Sequence, residues 1–308
     1  MAQRWWDLPP AAGSFVMATG IISIGLHLTG FAVPSLIALG LAGAVWLLLA
    51  VDFCTRLIWD FPRWSAESDT PPALTAVPAT TVLGTRLALL GWHRIAVILL
   101  IVAAVVWPVL LVAVIGHWQR QLPGAAFLVC VSTQGLAVLA ATLSLAGVAD
   151  WLIVAALVLW VLGLCLYAVA LRRFDLRQVW TGAGDQWVAA GALAISALAA
   201  SKLVVAPRWT GASHGALRIA TLVVLTLCVA WYLVLLVAEV ARPRNRYDIR
   251  RWATVFPLGM TAVATLNTGA AVGIPAFRPI GDALLGIAVG AWLLTCAALW
   301  RARRPARS

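Results

Sequence analysis

Charge is scarce in this chain. Only 11% of its 308 residues are Asp, Glu, Lys or Arg, and Lys202 is the sole lysine. Soluble domains carry about 25% charged residues, and a soluble fold with so few could not cover its own surface. The five cysteines form no CxxC pair, and the four histidines show no HExxH spacing. A redox pair and a catalytic metal site are therefore not expected, nor is any cofactor. No GxxxxGK[ST] loop is present, which excludes energisation by a nucleotide held in that way. The net charge of +11 would suit nucleic acid in a soluble protein. Here 63% of the residues are apolar, leaving no soluble domain to carry that role. The charge suits anionic headgroups or anionic solutes instead.

What is present in quantity is long apolar runs. A bilayer core asks for ~20 apolar residues per helix. Spans are expected at residues 13–30, 34–58, 73–91, 92–115, 122–145, 149–171, 185–206, 215–238, 252–273 and 279–300, with residues 1–308 forming a single transmembrane domain. The third span is the most polar, with Pro78, Thr80, Thr81, Thr85 and Arg86. The first is not read as a cleaved signal, since no soluble domain follows it. Sixteen basic residues, including Arg4, Arg63, Arg244, Arg246, Arg304 and Arg307, fall on the side of the termini. Six fall on the other: Arg86, Arg94, Lys202, Arg208, Arg218 and Arg278. Both termini are expected in the cytoplasm of a protein of the cell (plasma or inner) membrane.

The spans alternate in chemistry. The odd ones hold 18 Ser and Thr residues and the even ones 5. Tryptophan does the reverse, with Trp46, Trp107, Trp160, Trp231 and Trp292 at the middle of the five even spans. From Thr19 to Trp46, Thr80 to Trp107 and Thr133 to Trp160 the step is 27 residues, which marks a repeat of about 60 residues. Helices rich in hydroxyls and glycine pack closely and suit an inner wall, while Leu/Val/Trp-rich helices suit lipid. The fold class expected is all-α, ten transmembrane helices as five hairpins in a quasi-fivefold ring, odd helices inside and even helices outside. Thr19, Thr80, Thr133, Ser196 and Thr261 are the candidate pore-lining residues.

Few side chains offer further chemistry. Asp52 stands four residues before Arg56, so the two can pair along one helix face; Asp52 is also the one candidate titratable site. Glu239, closing the eighth span beside Arg242, is expected at the membrane interface, and the cysteines are expected to be small core hydrophobes. A retinal Schiff base on Lys202 would want seven helices and a buried counter-ion, and the sequence offers neither. Gly286 and Gly290 form a GxxxG for helix or subunit packing. Phe256-Pro257 is the most suggestive pair, because proline bends a helix and an aromatic beside the bend can project into a passage.

Four segments carry a resemblance: FVMATGIIS at 15–23, STQGLAVL at 132–139, WVAAGALAIS at 187–196 and FPLGMTAVAT at 256–265. In this order and spacing the chain resembles the tellurite-resistance/dicarboxylate transporter family, which includes bacterial TehA and the plant guard-cell slow anion channels. The resemblance implies ten helices around a pore, a homotrimer with one pore per subunit, and a blocking phenylalanine at Phe256 with Pro257. It implies small anions as cargo: chloride, nitrate, sulfite, tellurite or a dicarboxylate such as malate. The chain departs from the family pattern at Ala18, Gly135, Thr261 and Leu266-Asn267. The expected function is an anion channel or facilitator rather than an enzyme, with membrane lipids as its surroundings. The rivals are a proton-coupled dicarboxylate carrier and a non-transporting membrane scaffold.

Overall fold

The computed structural model of the chain describes residues 12–60, 70–244 and 247–303. Arg4, Arg63, Arg246, Arg304 and Arg307, counted above for orientation, lie outside the described residues. Among those described, the long elements are ten helices. They are α1 (Gly13–Leu28), α2 (Ala32–Trp59), α3 (Ala76–Ala88), α4 (His93–Gly116) and α5 (Leu128–Leu145). The second half holds α6 (Leu152–Arg173), α7 (Val188–Val204), α8 (Gly211–Ala241), α9 (Trp252–Val272) and α10 (Phe277–Arg303). A single 3₁₀ turn leads into each of α3, α5, α7 and α9.

Among the described residues, eight of these helices are long and apolar enough to cross a membrane. The other two are α1, apolar but 16 residues long, and α3, 13 residues long and carrying Thr80, Thr81, Thr85 and Arg86. The polar third span expected from the sequence is thus the shortest of the ten.

Burial divides the helices as their composition does. In α5 every residue from Leu128 to Leu143 is buried, and in α7 every residue but Lys202. By contrast α4 buries one stripe, Ala96, Leu99, Ala103, Leu110 and Val114, the helical spacing of a single covered face. Its Ile98, Val105 and Val112 face outward, and Val112 is 72% exposed. Such apolar exposure suits hydrocarbon rather than water. Cys54 and Cys165, expected in a core, are exposed on α2 and α6, whereas Cys130 and Cys228 are buried. The outward faces of even helices are as apolar as a core, so composition alone does not separate them.

Each odd helix packs on the even helix that follows it. Each even helix also touches the next odd one, α2 on α3, α4 on α5, α6 on α7 and α8 on α9, and α10 touches α1. The odd helices pack in succession, α1 on α3, α3 on α5, α5 on α7, α7 on α9, and α9 back on α1. Glycine sets the closeness of these contacts. A Cβ on Gly20 would lie 2.7 Å from Val82, and one on Gly259 2.8 Å from Ile21. The turns joining each odd helix to its even partner share one device. Gly30, Gly91, Gly147, Gly211 and Gly273 all have positive φ, from 56° to 89°, where a side chain would be strained. They recur about every 60 residues, the repeat length the Thr–Trp step implies.

Candidate functional site

Phe256 sits in the second turn of α9 and is 1% exposed. Pro257 follows it inside the helix, where its missing N–H leaves the carbonyl of Ala253 without the usual partner. Thr261 Oγ1 donates to the Pro257 carbonyl at 2.8 Å. Across the contact stands Gly191 of α7, and a Cβ there would be 2.8 Å from Pro257 Cγ and 3.5 Å from Phe256 Cε1. The ring therefore lies over a glycine on the neighbouring odd helix, at the level of the proline.

The five mid-helix hydroxyl residues are all buried. Trp46 Nε1 donates to Thr80 Oγ1 at 2.8 Å, Trp107 Nε1 to Thr133 Oγ1 at 3.0 Å, and Trp292 Nε1 to Thr19 Oγ1 at 3.0 Å. Trp160 Nε1 donates to the Ser196 carbonyl at 3.0 Å. At the α8–α9 seam Cys228 Sγ stands 3.5 Å from Thr261 Oγ1 instead. Four of the hydroxyls also donate to the carbonyl four residues earlier, Thr80 to Ala76, Thr133 to Val129, Ser196 to Ala192 and Thr261 to Pro257. An indole N–H in an apolar layer needs an acceptor, and a back-bonded hydroxyl can still accept. The Thr19, Thr80, Thr133 and Thr261 hydroxyls thus meet the even layer. Tryptophan is the partner of Thr19, Thr80 and Thr133, and Cys228 that of Thr261. The 27-residue step joins residues of one hairpin, whereas the bonds run to the next hairpin.

No Asp or Glu occurs on α1, α3, α5, α7 or α9. Two cations do. Arg86 of α3 is 1% exposed, with Nη2 donating to Ser35 Oγ at 3.0 Å and Nε to Ser23 Oγ at 3.2 Å. The two serines are themselves cross-linked, each hydroxyl donating to the other's carbonyl at 2.7 Å. Arg86 Nη1 is buried without a hydrogen-bond partner. Lys202 makes no hydrogen bond or ion pair among the described residues. Asp52 lies on the even helix α2, where Arg56 Nη2 is 2.7 Å from its Oδ2 and Arg56 Nε 3.1 Å from its Oδ1.

At the end of the molecule near the termini, Glu239 of α8 pairs with Arg244 and Arg251. It also accepts from Trp187 Nε1 at 3.4 Å. Arg244 Nη1 also donates to the Gly182 carbonyl, in the segment that precedes α7, at 3.2 Å. Burial, with Arg251 nearby, pushes the Arg244 guanidinium down to about 10. These residues border a cavity of about 650 Å³ that includes Trp180, Gln186 and Tyr247. Asp185 Oδ2 accepts from Ala125 N at 3.1 Å and so caps the turn leading into α5. Sequence reading singled out Glu239 but not its approach to Trp187, nor that of Arg244 to Gly182, which lie more than 50 residues away. No group of three or more metal-ligating side chains occurs among the described residues.

Residues 7–300 match the family described as voltage-dependent anion channel. The chain belongs to that family. It is a multi-pass membrane protein of an anion channel family, with apolar helices long enough to cross a membrane. It is also 33% identical over 120 residues to an uncharacterized membrane protein of Mycobacterium tuberculosis, matched in both strain CDC 1551 / Oshkosh and strain H37Rv. That alignment covers 37% of this chain and spans 61% of the length of each relative.

Proposed function

We propose that this channel-family member passes small anions without energy input through a passage enclosed by α1, α3, α5, α7 and α9, each backed by its even partner. The carrying observation is the run of packing contacts from α1 through the odd helices and back to α1, on helices that hold no carboxylate. A wall with no fixed negative charge does not repel an anion, and one without a dense basic site lets it leave. In this reading the buried hydroxyls of Thr19, Thr80, Thr133 and Thr261, and the Ser196 carbonyl, anchor the wall to the outer layer. Phe256, at the bend made by Pro257 and over Gly191, plugs the passage. Asp52, engaged with Arg56 on an even helix, plays no part in transport. The cargo class is chloride, nitrate, sulfite, tellurite or a dicarboxylate such as malate. The assembly is a homotrimer in the cell membrane with both termini in the cytoplasm.

Purified protein in proteoliposomes, offered chloride, nitrate, sulfite, malate and tellurite in turn, tests the reading. Ohmic anion currents are expected. Saturable uptake that vanishes without a pH gradient would replace the channel by a coupled carrier, and no flux of any anion would remove transport altogether.

A further inference from the structure

We infer that Lys202 is an anion-recruiting contact at the mouth of the passage opposite the termini, with Arg86 as a second charge without a carboxylate partner at the same level of the odd helices and small inorganic anions as the ligand. The inference rests on the anion passage proposed above and names a site within it.

The register places the residues at one level. Arg86, Lys202 and Asn267 each stand six residues after the mid-helix hydroxyl of their repeat, Thr80, Ser196 and Thr261. All three lie in the last two turns of odd helices that run in the same direction. Lys202 is 11 residues beyond Gly191, about 16 Å along the axis, so this level is well separated from Phe256. At this level Lys202 is the one residue from Val188 to Val204 of intermediate exposure, the others being buried. Asn267 is likewise half-buried between buried neighbours, its Nδ2 donating to the Val263 carbonyl at 2.9 Å and its Oδ1 left free of that bond.

Among the described residues neither cation pairs with a carboxylate. A buried guanidinium ordinarily meets a carboxylate, yet Arg86 has two serine hydroxyls and an orphan Nη1. The charged and titratable groups on the elements packed around α7 at this end do not supply the counter-charge. Arg208, His214 and Arg218 follow α7 in sequence, and Arg218 donates to the Val272 carbonyl at 3.0 Å. Asp150, before α6, forms no ion pair with Lys202, and Asp282 is held by Arg278 at 3.3 Å. His27, on α1, adds no negative charge. Positive groups that face no carboxylate, framed by apolar helices, raise the local concentration of anions about tenfold or more. A single flexible ammonium does so without the fixed fork that would hold an anion tightly.

Lys202 being the only lysine, amine chemistry reports on it alone once the N-terminal peptide is set aside. The full chain in proteoliposomes is treated with a membrane-impermeant sulfosuccinimidyl acetate, in nitrate or in gluconate at equal ionic strength, and acetylation of the Lys202 peptide is read by mass. Acetylation should proceed in gluconate and slow several-fold in nitrate. Nitrate flux at low salt should fall about tenfold in Lys202→Gln, fall less in Arg86→Gln, and stay near wild type in Lys202→Arg, the differences shrinking as salt rises. An unreactive Lys202, or equal rates in the two anions with unchanged flux in Lys202→Gln, would overturn the inference. Protection by nitrate in vesicles that conduct no anion would uphold the site and sink the passage. Normal flux in Lys202→Gln without protection would do the opposite.

Discussion

The indole nitrogen of Trp292 donates at 3.0 Å to the hydroxyl of Thr19, 273 residues earlier in the chain. It joins the last even helix to the first odd one, as Trp46–Thr80 and Trp107–Thr133 join successive hairpins. The same type of bond that links neighbours in sequence order therefore also links the two ends of that order.

Removing this bond should loosen the α10–α1 contact. Trp292→Phe and Thr19→Val are each expected to cost about 0.5–2 kcal/mol, the range for interhelical hydrogen bonds in membranes. The double variant should cost little more than either single one, since both remove one interaction. Thermal unfolding of the four proteins in detergent measures this, and fully additive losses would show that the bond does not couple the helices.

Phe256→Ala should raise anion current with little loss of folded protein. Gly191 and the Pro257 bend leave few neighbours to fill the space. If the ring is ordinary core, truncation should instead cost about 3–5 kcal/mol and lower the yield without added current. Yield, thermal stability and nitrate current for wild type, Phe256→Ala and Phe256→Leu in one membrane separate the two by the sign of the change in flux.

Asp52→Asn should leave flux and its pH dependence intact and lower stability by about 1 kcal/mol, the upper range for an interfacial pair. Loss of pH-driven uptake at normal expression would make Asp52 a proton site and favour the carrier.

Orientation is checked by labelling. Single cysteines at the N-terminus and beside Arg244 should react with impermeant maleimide only after cells are opened, following the split of basic residues between the two sides. Reaction in intact cells at either position would invert the topology.

Much of the architecture was legible. Hydroxyl-rich and tryptophan-rich spans alternate because a helix covered on all sides and a helix facing hydrocarbon select different side chains, and the burial of α5 and α7 beside the single stripe of α4 follows that division. The weak third span was legible too, through the polarity that ends in Arg86. The hairpin glycines, Gly30 to Gly273, carried a second copy of the 60-residue period, visible only once their φ angles set them apart from the other glycines.

The sequence by itself determined that this is a membrane protein of alternating helices, because hydropathy and composition are properties of each segment alone. Only the tertiary structure decided which hydroxyl meets which indole, and that Glu239 gathers Arg244 and Arg251 while Arg86 gathers serines. A hydrogen-bonding group in an apolar layer takes the nearest partner in space. For the indoles of Trp46, Trp107, Trp160 and Trp292 that partner sits on the next hairpin, at sequence distances of 26 to 273 residues that no local pattern records.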